Sequence, residues 1–168
     1  MLKPQDLLVV LRLALASGEV KLTYQALSAE LGMSVSEIHA SVRRAAESAL
    51  VDPGSRTVNR RNLLEFLLHG VRFSFPAKHS GLTRGIPTSY AAPPLQRSFS
   101  VGDLPPVWPH PEGKVRGEGL APLYRSAPTA ALNNAELYEW LALVDAVRAG
   151  RARERSIAAK ELTKRLSS

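Results

Sequence analysis

The chain has 168 residues, 45% of them hydrophobic, no cysteine, and 22 Lys and Arg against 15 Asp and Glu, for a formal net charge of +7. That is enough to bury a real core in one domain, or in a domain with a substantial appendage. Disulfides and thiolate metal sites are excluded, no run of 18 apolar residues offers a membrane span, and Met1 to Ser17 lacks a signal peptide's basic start and cleavage site, so the reading is a cytoplasmic protein.

Pro4, at the first position of a helix, and Asp6 in its first turn open an apolar helix that stops at Gly18. Leu7, Leu8, Val9, Val10, Leu11, Leu13 and Leu15 cover more than one face, so either another part of the chain or a second subunit must cover it. Glu19 to Leu22 alternates polar and apolar and reads as a short strand.

The stretch from Thr23 to Leu50 is the most ordered pattern in the sequence. Thr23 caps a short helix with Leu27 and Leu31 inward, and Gly32 ends it. Ser34 caps a second helix, with Glu37 completing a capping box. Val35, Ile38, Val42, Ala45 and Ala49 make its inward stripe, leaving Ser36, His39, Ala40, Arg43 and Arg44 on the opposite face. With its Ala26-Leu27 pair, Leu31-Gly32-Met33-Ser34 turn, Ile38 and Val42, the segment resembles the helix-turn-helix of bacterial transcription regulators, in the winged subclass. The resemblance covers about the first 75 residues. It implies a second helix lying in the major groove of double-stranded DNA.

Asp52-Pro53-Gly54-Ser55 is a turn, and Arg56 to Val58 reads as a strand. Asn59 then caps a helix ending at Gly70, a departure from a simple wing, and Val71 to Phe75 reads as a strand. Residues 77–126 are rich in Pro and Gly and read as an ordered loop region anchored by Leu82, Ile86, Tyr90 and Leu95. Short strands are expected at Leu82 to Arg84, Ser98 to Val101 and Lys114 to Leu120, with the segment around Trp108 extended against a surface. From residue 127 the helical pattern returns. A short helix spans Pro128 to Leu132, Asn134 caps a second that stops at Gly150, and a third covers Arg151 to Leu166.

The predicted fold class is thus mainly α with a small β component. A winged helix-turn-helix domain occupies 1–76, the loop region 77–126, and a helical hairpin 127–168. The hairpin, with the apolar first helix, is the candidate dimerisation or partner-binding surface.

No enzymatic constellation is evident. His39, His69, His79 and His110 lack metal-ligand spacing, Gly81 to Gly85 lacks the ending of a phosphate loop, and no GxSxG occurs, so no catalysis, metal or cofactor is expected. The expected function is a sequence-specific DNA-binding transcription regulator acting as a homodimer. The base-reading positions would be Ser34, Ser36, His39, Ala40 and Arg43, with Thr23 and Ser34 also able to meet phosphates. Residues 51–100 hold seven basic and two acidic side chains, so Arg56, Arg60 and Arg61 join Arg44 as candidate phosphate contacts. The alternative is an antitoxin or adaptor whose main role is to bind a partner protein such as a toxin.

Overall fold

The computed structural model describes residues 1–16 and 21–167. It is mainly helical with one small sheet, the class expected. Helix α1 (Pro4–Leu15) begins where the Lys3 N–H donates to Asp6 Oδ2 at 2.8 Å. Leu7 to Leu11 are all fully buried, each such side chain worth on the order of 1.5–3 kcal/mol. The cover for this all-round apolar helix comes from the chain itself. Helices α2 (Tyr24–Leu31), α3 (Val35–Glu47) and α7 (Ala135–Ala149) all pack against it.

Helices α2 and α3 form as their caps dictate. Thr23 Oγ1 accepts from the Ala26 N–H at 3.0 Å and Ser34 Oγ from the Glu37 N–H at 3.1 Å. Between them Gly32 takes the left-handed conformation, φ +63°. Ile38, Val42 and Ala45 of α3 are buried as expected, but the expected stripe is too long at both ends. Val35 is 39% exposed, and Ala49 is exposed with φ +58° beyond the last turn. There the Leu50 N–H reaches back to the Ala45 carbonyl, a reversal that glycine usually makes.

Gly18 and the Glu19 and Val20 of the expected strand lie outside the described residues, while Lys21 and Leu22 belong to no strand. After α3, Val51 and Val58 meet in a single antiparallel bridge around the Asp52 turn, so the strand expected at 56–58 shrinks to one residue pair. Helix α4 (Arg60–His69) follows its Asn59 cap. The strand expected at 71–75 is instead a short helix, α5 (Val71–Ser74). The alternation of Val71, Phe73 and Phe75 suits a strand, but Val71 and Phe75 are also one helical turn apart. These two are buried while Phe73 is 71% exposed, which is the helical pattern.

Three strands occupy the middle of the chain: β1 (His79–Pro87), β2 (Pro106–Pro109) and β3 (Val115–Leu120). β1 is antiparallel to both others, β2 and β3 are parallel, and each strand pairs with both of the others, closing the sheet on itself. So tight a closure leaves no room for inward side chains at Gly85 and Gly117. A Cβ there would strike the Trp108 and Pro105 carbonyl oxygens. β1 is longer than expected, β3 lies where expected, and the strand expected at Ser98 to Val101 is loop after a 3-10 turn at Leu95–Arg97.

Helix α6 (Ala127–Leu132) leads into α7, the centre of the molecule: every residue from Trp140 to Val147 is buried. Helix α8 (Ala152–Leu166) turns back at Gly150 and runs antiparallel to α7, since Arg165 near its end meets Glu139 near the start of α7 at 2.8 Å. The expected hairpin is present. One apolar core draws on all three segments, 1–76, 77–126 and 127–168. The apolar faces of α1 and α7, expected at an interface between chains, are therefore occupied within one chain. Among the described residues no helix is long and apolar enough to cross a membrane.

Candidate nucleic-acid interface

The inward stripe of α3 fixes which face of the helix remains outside. Ser36, His39 and Arg43 are exposed and Ala40 is half-buried on one face of α3, while Ser34 is exposed as the cap before its first turn and does not belong to that face. Val35 adds an apolar group at the start of the helix. The Ser34 hydroxyl serves mainly as the cap, with Ser36 Oγ within 3.1 Å. That hydroxyl also donates to Glu37 at 3.1 Å, and together with Tyr124 and Arg125 it holds the Glu37 carboxyl below its usual pKa. Thr23 is exposed at the start of α2, where its hydroxyl is likewise engaged as a cap.

His39 does not hang free. Its ring lies 3.9 Å from that of Tyr24, and the Arg56 guanidinium stands 4.6 Å over the other part of the stack, the Tyr24 ring. The stack ties α3 to α2 and to the turn after Val51, and it reduces the rotamer freedom His39 would lose on meeting a ligand. Arg56 is accordingly half-buried and part of the scaffold as well as of the surface.

Two expected phosphate contacts are corrected by their surroundings. Arg44 donates through Nε and Nη2 to the two carboxylate oxygens of Asp6, both at 2.8 Å, and Asp6 is fully buried. This bidentate pair raises the Arg44 pKa and clamps α3 to α1. Arg60 donates to the carbonyls of Ala14 at 3.0 Å, Arg165 at 2.6 Å and Leu166 at 3.2 Å. Its charge thus sits at the C-terminal ends of α1 and α8, where helix dipoles favour a cation. Arg61 is exposed, 3.6 Å from Glu65 in an ion pair of little strength, and remains accessible.

Three contributors escaped the sequence pattern: Tyr24, Tyr124 and Arg125. The Tyr124 hydroxyl donates to Glu37 at 3.2 Å across 87 positions of chain, and Arg125 is exposed beside it. No local periodicity reports a contact of that range. The only hint is charge, since Arg125 is an isolated cation before a helical stretch.

Among the described residues no cluster of His, Asp and Glu could hold a metal ion. No family model, curated protein or solved structure matches the chain.

Proposed function

We propose that the protein is a sequence-specific DNA-binding transcription regulator of winged helix-turn-helix type, with α3 as its reading helix in the major groove. One observation carries the reading. α3 is anchored from behind by Ile38, Val42, Ala45 and the Arg44–Asp6 pair, while Ser36, His39 and Arg43 on its outer face are exposed. A helix held rigidly by its back and polar at its front is what base recognition requires.

In this reading Arg43 makes a bidentate contact to guanine, His39 and Ser36 meet neighbouring base edges, and Val35 packs on a thymine methyl. The unpaired N–H groups at the start of α3, with Thr23 at the start of α2, approach phosphates. Arg61 adds attraction without sequence preference. A homodimer would place two copies of α3 on a two-fold operator, its interface formed from surfaces other than the buried faces of α1 and α7.

The test is binding of a duplex from the region upstream of its own gene beside a scrambled duplex. Arg43→Ala should lose about 1–3 kcal/mol on the specific duplex and almost nothing on the scrambled one. Equal binding of wild type and variant to the specific duplex would remove α3 from the groove. The second reading, an antitoxin or adaptor that holds a partner protein, is supported by Phe73 and Leu82, large apolar side chains that are 71% and 53% exposed.

A further inference from the structure

The register of the closed sheet sets two arginines directly against each other. Arg84 of β1 is the cross-strand partner of Arg116 of β3, so their side chains project from the same face. On the far side of Arg84 comes His110, whose N–H faces the Arg84 carbonyl at 3.4 Å just beyond the Gly85–Pro109 pair. Arg116 and Arg84 therefore face each other across β3 and β1, with His110 next to Arg84 just past the end of β2. The alternate positions, Gly85 and Gly117, turn into the closed interior, and at Arg84 and Arg116 this outer face is exposed, while the next pair on it, Ile86 and Trp108, is buried in the core.

Like charges directly opposite in a ladder are destabilising, and proteins usually relieve them with a nearby carboxylate. Here none does so. Arg84 and Arg116 are exposed, and neither joins an ion pair among the described residues. Glu118 stands two pairs further along, opposite Leu82, and makes no ion pair with either guanidinium group. Such a pair is stabilised by an anion shared between the two forks, which is the geometry a phosphate supplies.

This group also connects to the α2–α3 region through a short chain of contacts. His110 Nε2 lies 3.2 Å from Thr129 Oγ1 in α6, a helix of six residues, about 9 Å long. At the near end of α6, Ser126 packs against the turn between α2 and α3: a Cβ at Gly32 would lie 3.3 Å from Ser126 Cβ. Exposed Arg125, the residue before Ser126, is close enough to act on Glu37 at the start of α3.

We infer that the exposed part of the sheet's outer face is a second contact surface for the phosphate backbone of duplex DNA, with Arg84 and Arg116 together gripping phosphate beside the site read by α3. The inference rests on the DNA-binding reading, and adds to it a part of the chain that the resemblance does not reach. Its contribution is independent of sequence: it strengthens all duplexes alike and steepens the salt dependence.

The experiment is fluorescence anisotropy across a salt series, comparing wild type with the double variant Arg84→Gln/Arg116→Gln on the upstream duplex, a scrambled duplex and an RNA hairpin of equal length. Both positions are exposed and unpaired, so the variant should fold, which circular dichroism checks. Removing two phosphate contacts should reduce the slope of log K against log salt by roughly 2 and weaken both duplexes by roughly 10- to 30-fold near 0.15 M salt, leaving their ratio unchanged. Glu118→Gln should strengthen both duplexes about two-fold, by the same electrostatic argument. Unchanged affinity and slope in the double variant, with wild type still discriminating its duplex, would overturn the inference and leave the α3 reading intact. A loss confined to the specific duplex, or to the RNA, would overturn it as well. Wild type that binds neither duplex would remove both together.

Discussion

Two buried carboxylates hold two different kinds of structure. Asp6 joins helix to helix: it sits in the first turn of α1, accepts both arms of Arg44 and leaves that arginine partly in water. Asp145 joins helix to irregular chain. Wholly inside α7, it accepts from Thr88 Oγ1 and Trp108 Nε1 at 2.7 Å each and from Arg148 at 2.8 Å, and Arg148 in turn donates to the Phe75 carbonyl. Burial raises the Asp145 pKa, against the pull of the Arg148 charge and the three donors. The α2–α3 region would keep its helices without Asp6, because caps and periodicity supply local order. The 77–120 region closes a small sheet of its own, but its hydrogen bonds to the helices come from distant side chains, chiefly Asp145.

That contrast can be broken in graded ways. Asp145→Ala strands a buried cation, a hydroxyl and an indole N–H together, so the largest loss, about 3–5 kcal/mol, is expected in chemical denaturation. The change should also show as early exposure of Trp108 fluorescence. Asp6→Ala should cost less, about 1–3 kcal/mol, since Arg44 can turn to water. It should loosen the setting of α3 and so weaken specific DNA binding more than nonspecific binding. If the two variants were equally destabilised, the distinction between locally and remotely organised halves would fail. The smallest effect carries the opposite sign. Ala49 holds φ +58° at the end of α3, a conformation glycine takes without strain, so Ala49→Gly should add about 1 kcal/mol and raise the melting temperature by about 2–4 °C.

The same contrast explains what the sequence could disclose. Thr23, Ser34, Asn59 and Asn134 were legible as caps because a cap is a local event, and each accepts the backbone hydrogen bond expected of it. The outer face of α3 followed from the same periodicity. The closed sheet was not legible as such: its strands are short, broken by Gly and Pro, and its register is set by packing at Gly85 and Gly117 that no propensity records. Nor could spacing separate Arg43 from Arg44. Neighbours in sequence, one faces outward and the other meets a carboxylate 38 positions away. Arg60 likewise carries no local sign of its role, since the carbonyls it caps lie at the ends of α1 and α8.

The central claim is that the outer face of α3 reads DNA. Its most direct test is the anisotropy of wild type and Arg43→Ala with the upstream and scrambled duplexes at physiological salt. Wild type should prefer its own duplex, and Arg43→Ala should lose about 5- to 150-fold on that duplex while binding the scrambled one as before. Binding of wild type that fails to distinguish the two, and fades equally for both as salt rises, would contradict the account and leave only the attraction of a positively charged surface.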